Sequence, residues 1–86
     1  MKIKQGYIVK QVAGTNVVVP VSNSHFSAII SVNDTGAFLF EKLKNDVDKE
    51  FLVNLLLSEY DVFQDVAKKD VDLFLNQLSK AGLLDE

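Results

Sequence analysis

Cysteine and arginine are both absent from this 86-residue sequence, and proline occurs once. Without cysteine there is no disulfide, no thiolate metal site and no thiol nucleophile, so stability has to come from packing alone. Such a chain suits a reducing cytoplasm, which is its expected location. Without arginine, the nine basic residues are all lysine, and they face twelve acids for a formal charge of −3. Proteins that grip nucleic acid usually present a basic face and use Arg forks on phosphates and guanine edges. A nucleic-acid partner is therefore not expected, although a local lysine patch is compatible with an acidic chain.

Long apolar runs are missing too. Lys2 and Lys4 have behind them no apolar stretch of signal-peptide length, and charges interrupt every segment before it reaches a membrane span, so no membrane partner is expected. The four glycines, Gly6, Gly14, Gly36 and Gly82, are too scattered to form a phosphate-cradling loop. What is present is 48% hydrophobic and 24% charged residues, the balance of a globular domain rather than a disordered tail. A chain of this length buries only somewhat over about 60% of its unfolded surface, enough for one core. A single domain over residues 1–86 is expected.

Tyr7 to Val12 alternates and is rich in β-branched residues, Ala13-Gly14 supplies a turn, and Asn16 to Val21 is a second β-branched run, so the two predict a hairpin. Pro20 has no N–H for a ladder and belongs late in its strand or on an unpaired side. Ser22 to Ser27 is turn-like. Ala28 to Val32 predicts a third strand, with Ala28, Ile30 and Val32 on one face and Ile29 and Ser31 on the other.

The period then changes. Asn33 is a candidate N-cap for a first helix carrying Ala37, Phe38, Leu39, Phe40 and Leu43, with Asp34 complementing the dipole and Gly36 weakening the first turn. Asp48 caps a second helix to about Tyr60, with Phe51, Leu52, Leu55 and Leu56 as its apolar stripe, and Asp61-Val62 ends it. A third helix runs from near Gln64 to Ala81 with Ala67, Val71, Phe74 and Leu78 inward, then stops at Gly82 as a left-handed cap, with Leu83 and Leu84 packing back. The expected fold is α+β: a three-stranded antiparallel sheet followed by three helices.

Few residues offer chemistry. His25 lies in a predicted loop beside Ser24 and Ser27, but a Ser-His pair needs an orienting third group and an oxyanion site, and neither is indicated. Asp46, Asp48, Asp61, Asp65, Asp70 and Asp72 cluster at helix ends and faces, where capping and solvation account for them. No window carries the alternating ligands, bend glycine and closing Glu of a calcium loop. No metal, no cofactor and no catalysis are expected, which leaves binding.

A binding surface should appear as apolar residues off the core stripe. At about 100° per residue, Val66, Asp70, Leu73 and Gln77 form a second stripe beside the inward one of the third helix. Leu73 lies about 100° from Phe74, too far round for the centre of a small core. The third strand is last in its sheet, and an unpaired strand edge offers free N–H and C=O groups. If that edge lies beside the third helix, the two form a groove for an extended peptide added as a strand. The alternative is that Leu73 covers the first helix or a dimer mate while the chain's own N-terminus caps the strand.

The segment Val32-Asn33-Asp34-Thr35-Gly36-Ala37, followed by Asp70-Val71 before Phe74-Leu75, then Leu78 and Ala81-Gly82-Leu83-Leu84, resembles the PqqD family. Gly6-Tyr7-Ile8-Val9 and Val17-Val18-Val19-Pro20-Val21 match it as well, so the resemblance covers nearly the whole chain. That resemblance, to the coenzyme PQQ synthesis protein D group, implies the RiPP recognition element fold, of winged helix-turn-helix type. It further implies a peptide chaperone that binds the leader of a ribosomally made precursor and delivers it to a radical SAM or other maturation enzyme. Carried over by position, the peptide-binding residues would be Ala28, Ile29, Ile30, Ser31 and Val32 from the strand, and Val66, Lys69, Asp70, Leu73 and Gln77 from the helix. Asn33 to Gly36 would serve helix capping. A monomer or weak homodimer fits this picture. The competing expectations are a winged-helix DNA-binding domain and a dimerisation domain whose exposed edge pairs with its own copy.

Overall fold

The computed structural model of the protein describes residues 1–21 and 30–85. Along them run β1 (Lys2–Ile3), β2 (Tyr7–Val12), β3 (Thr15–Pro20), β4 (Ile30–Val32), α1 (Asp34–Lys42), α2 (Lys49–Glu59), α3 (Gln64–Lys80) and β5 (Leu84–Asp85). Strands β2, β3 and β4 form an antiparallel sheet in that order, and the three helices follow it, which is the α+β arrangement expected. Ala28 and Ile29, assigned to the third strand, and His25 with its neighbouring serines lie outside the described residues.

Val12 pairs with Thr15 across Ala13 and Gly14, both at positive φ (51° and 80°), the two-residue turn whose twist suits a hairpin. The Val21 N–H donates to the Gly6 carbonyl at 2.7 Å, and this bond sets the phase of the ladder. Hydrogen-bonded and non-hydrogen-bonded pairs alternate along an antiparallel ladder. Val17 and Val19 therefore direct their backbone groups at β2, while Asn16 and Val18 direct theirs at Val32 and Ile30 of β4. Pro20 falls on a position that has no bond to give β2, so its missing N–H does no harm there.

Side-chain caps fix the first two helix starts. Asn33 Oδ1 accepts from the Gly36 N–H at 2.7 Å, and Asp48 Oδ1 accepts from the Phe51 N–H at 2.8 Å. Helix α3 begins after Phe63 without a side-chain cap. It ends as the sequence implies: Gly82 has φ 74°, its N–H bonds the Ser79 carbonyl, and the Leu83 N–H bonds the Leu78 carbonyl, with both leucines buried. That double bond is the Schellman closure.

The core joins Val18 and Val32 of the sheet to Leu39 and Phe40 of α1 and Leu43 at its C-cap, Leu52 and Leu56 of α2, and Val71, Phe74 and Leu78 of α3. One expected stripe is rotated. In α2 the buried residues are Leu52, Val53 and Leu56, while Phe51 is exposed and Leu55 half-buried. Apolar side chains occupy 51–53 and 55–57 alike, so the pattern does not by itself choose which face turns inward. Packing against α3 chooses it.

The expected three strands also omit a second sheet. Ile3 pairs with Leu84 and Lys2 with Asp85, antiparallel, in a two-stranded ribbon. The Ile3 N–H donates to the Leu43 carbonyl and the Lys4 N–H to the Leu83 carbonyl, each at 2.8 Å. Ile3 is thereby buried under the helices. At the same end the Met1 ammonium donates to Asp46 Oδ1 at 2.6 Å, and this positive neighbour holds the Asp46 carboxyl below its ordinary pKa. A two-residue strand shows no period, so nothing in the pattern announces the ribbon. Its presence means that the N-terminal segment pairs with β5, not with β4.

Candidate functional site

Among β4 residues, Ile30 and Val32 spend their backbone groups on β3. Ser31 stands opposite Val17 at a non-bonded position, so its N–H and C=O turn outward. Helix α3 stands beside that edge. Gln77 Nε2 donates to the Ser31 carbonyl at 2.9 Å, tying helix to strand across the mouth of an open groove. The groove has a volume of about 290 Å³. Ser31 and Val32 line one wall, Asp70, Leu73, Phe74 and Gln77 the other, and Asn33, Thr35, Gly36 and Leu39 close the end at the start of α1.

The closed end is tight because of Gly36. A Cβ there would stand 3.0 Å from Val32 Cβ and 3.3 Å from Phe74 Cδ1, so glycine lets the first turn of α1 settle against β4 and α3. The Asn33 cap fixes that turn, and Asn16 Nδ2 donates to Asp34 Oδ1 at 2.8 Å, binding the hairpin to it. An ion pair between Lys49 and Asp72 ties α2 to α3. The groove is thus framed by β4, α1 and α3, with β3 and α2 braced against them by named bonds.

Its chemistry is mixed. Leu73 is 60% exposed although it lies within one residue of the buried Phe74, and Phe74 and Leu39 supply apolar floor below it. Asp70 adds one carboxylate. Among the described residues no group of three or more potential metal ligands is gathered anywhere. An outward-turned backbone position beside an exposed apolar side chain is suited to an extended chain, which offers backbone groups in plane and side chains to either face.

Residues 15–84 match the profile of the family described as coenzyme PQQ synthesis protein D (PqqD). The chain belongs to the PqqD family. The matched span holds β3, β4 and all three helices, hence every residue that lines the PqqD groove. In fold, this PqqD-family chain is similar to TbiB1, solved in complex with the TbiA(beta) leader peptide, at a TM-score of 0.73 and 20% identity over 99% of this chain and 95% of that one. It is also similar to a lasso peptide synthetase B1 complexed with the leader peptide, at a TM-score of 0.68 and 21% identity over 95% and 93% of the two chains. No curated protein matches the chain by sequence.

Of the residues assigned to the site from the PqqD resemblance, the structure brings Ser31, Val32, Asp70, Leu73 and Gln77 together on the groove. Ile30 sits in β4 with its side chain against the core, and Val66 is exposed one turn of α3 beyond Asp70, past the groove lining. Lys69 is exposed but does not line it. Ala28 and Ile29 lie outside the described residues. Asn33 caps α1 by accepting from Gly36, and Leu39 and Phe74 are core residues, yet these four and Thr35 all border the groove as well. Only the close approach of α1 to β4, visible in sequence as the oddity of Gly36 inside a helix start, could have hinted at this.

Proposed function

We propose that the groove between β4 and α3 takes the leader segment of a ribosomally made precursor peptide as an added strand, and that the protein presents this leader to a modifying enzyme without performing chemistry itself. The observation that carries the proposal is the pairing of an outward-turned strand edge at Ser31 with the exposed Leu73 across an open groove. A peptide strand laid there gains backbone hydrogen bonds from β4 and sets alternate side chains against Leu73 and Phe74. The family, and neighbours solved with leader peptides in the same fold, support the same occupant. Ser31 would contribute backbone, with Ile30 and Val32 holding it in the sheet, and Asp70, Leu73 and Gln77 would form the facing wall; Val66 and Lys69 would lie at its rim.

A short strand and two or three side-chain contacts make a small interface, below about 1,200 Å² in all. A dissociation constant near micromolar, about −8 kcal/mol, is the expected strength. Titration calorimetry with the leader of a candidate precursor, against a scrambled leader, tests it. Micromolar binding of the true leader alone supports the proposal, and equal binding of both or of neither overturns it. The enzyme that receives the leader would be a radical SAM or other maturation enzyme, identified by whether adding this protein raises turnover of the precursor.

A further inference from the structure

The free edge of β4 is already occupied at one point. A strand added to β4 needs, opposite Ser31, a backbone N–H to donate into the Ser31 carbonyl. In the protein alone that carbonyl accepts from Gln77 Nε2 at 2.9 Å. We propose that Gln77 is a built-in stand-in for the incoming strand, an edge cap that the leader's backbone displaces on binding. This rests on the leader reading of the groove and names what that binding must undo.

Three features of the contact converge. The ladder phase makes Ser31 the β4 residue among 30–32 whose carbonyl faces outward, and Gln77 takes that one. Leu73 and Gln77 are one helical turn apart on the same face of α3, so a peptide seated over Leu73 runs into the Gln77 amide. The contact is exposed to solvent, which keeps its net worth small enough for exchange. An exposed strand edge left bare invites pairing with any extended chain, and a side-chain cap raises the threshold for doing so. The cap also imposes a chemical requirement on the occupant: only a residue with a backbone N–H replaces the Gln77 donor, so proline at the position opposite Ser31 is rejected.

The test is calorimetry of the leader against the wild-type protein, Gln77→Ala and Gln77→Met, the last keeping side-chain length while removing the donor. Circular dichroism checks that each is folded. Both variants are expected to bind the leader about three- to tenfold tighter than wild type, the range one net hydrogen bond covers. In parallel, the Gln77 side-chain amide resonances of ¹⁵N-labelled wild type should show a hydrogen-bonded proton in the free protein and lose that signature at leader saturation. Equal or weaker binding by the variants, or an amide signature unchanged at saturation, overturns the cap and makes Gln77 a direct contact. If none of the three proteins binds leader, the leader reading fails instead. The free-protein amide then decides the cap: a solvent-like temperature coefficient overturns it and a hydrogen-bonded one sustains it.

Discussion

Between Leu73 and Phe74 the chain advances about 100° around α3, and that one step carries the side chain from solvent to core. Leu73 is 60% exposed and Phe74 only 6%. Leu73→Glu should therefore leave the thermal midpoint near wild type while weakening leader binding, as read by calorimetry. Phe74→Ala should cost about 3–5 kcal/mol in denaturant unfolding, the usual toll of truncating a buried phenylalanine. An unfolded Leu73→Glu protein beside a fully stable Phe74→Ala one would contradict the helical phase. Gly36→Ala sets two effects in opposition. Alanine would favour the helix by up to about 1 kcal/mol, but its Cβ would stand 3.0 Å from Val32 and 3.3 Å from Phe74, and overpacking of that kind costs about 1–3 kcal/mol. The clash should win, with a net loss of about 1 kcal/mol and a narrowed groove end, read by chemical denaturation and by weaker leader binding.

Among the elements, α3 is the one whose start is poorly made. Phe63 occupies its N-cap with no side-chain bond and is 80% exposed, where serine, threonine, asparagine or aspartate would satisfy an orphan N–H. Phe63→Ser should raise stability by about 1 kcal/mol, measured as a shift in the denaturation midpoint with unchanged slope. The other two helices carried their start signals openly, Asn33 and Asp48 each capping where the sequence places them. The hairpin, its turn at Ala13-Gly14 and the Gly82 stop were equally legible, because each depends on chemistry within a few residues. What escaped depends on partners far along the chain. The face of α2 is chosen by α3, and the ribbon of β1 with β5 joins residues from opposite ends of the described chain, steadied by bonds from Ile3 and Lys4 to the Leu43 and Leu83 carbonyls. The groove was half legible for the same reason: the α3 stripe shows in its period, whereas the α1 residues that close its end reach it through the approach of Gly36 to Val32 and Phe74.

At the scale of the whole molecule, charge separates the peptide reading from the nucleic-acid one. The protein carries −3 overall, and the exposed surface of α3 sets Asp65, Asp70 and Asp72 among Lys68, Lys69 and Lys80. A recognition helix so balanced has few counterions to release from a duplex. Fluorescence anisotropy with random duplex DNA at low salt is expected to show no saturable binding; micromolar affinity falling steeply with salt would instead favour the winged-helix DNA reading. The ribbon has a separate consequence. Lys2 stands opposite Asp85, about 5 Å away across one strand pair, so the ribbon works as a clasp: fraying of either strand would undo the other and uncover Ile3, loosening the base of the helices while the groove at the far side of the sheet kept its frame.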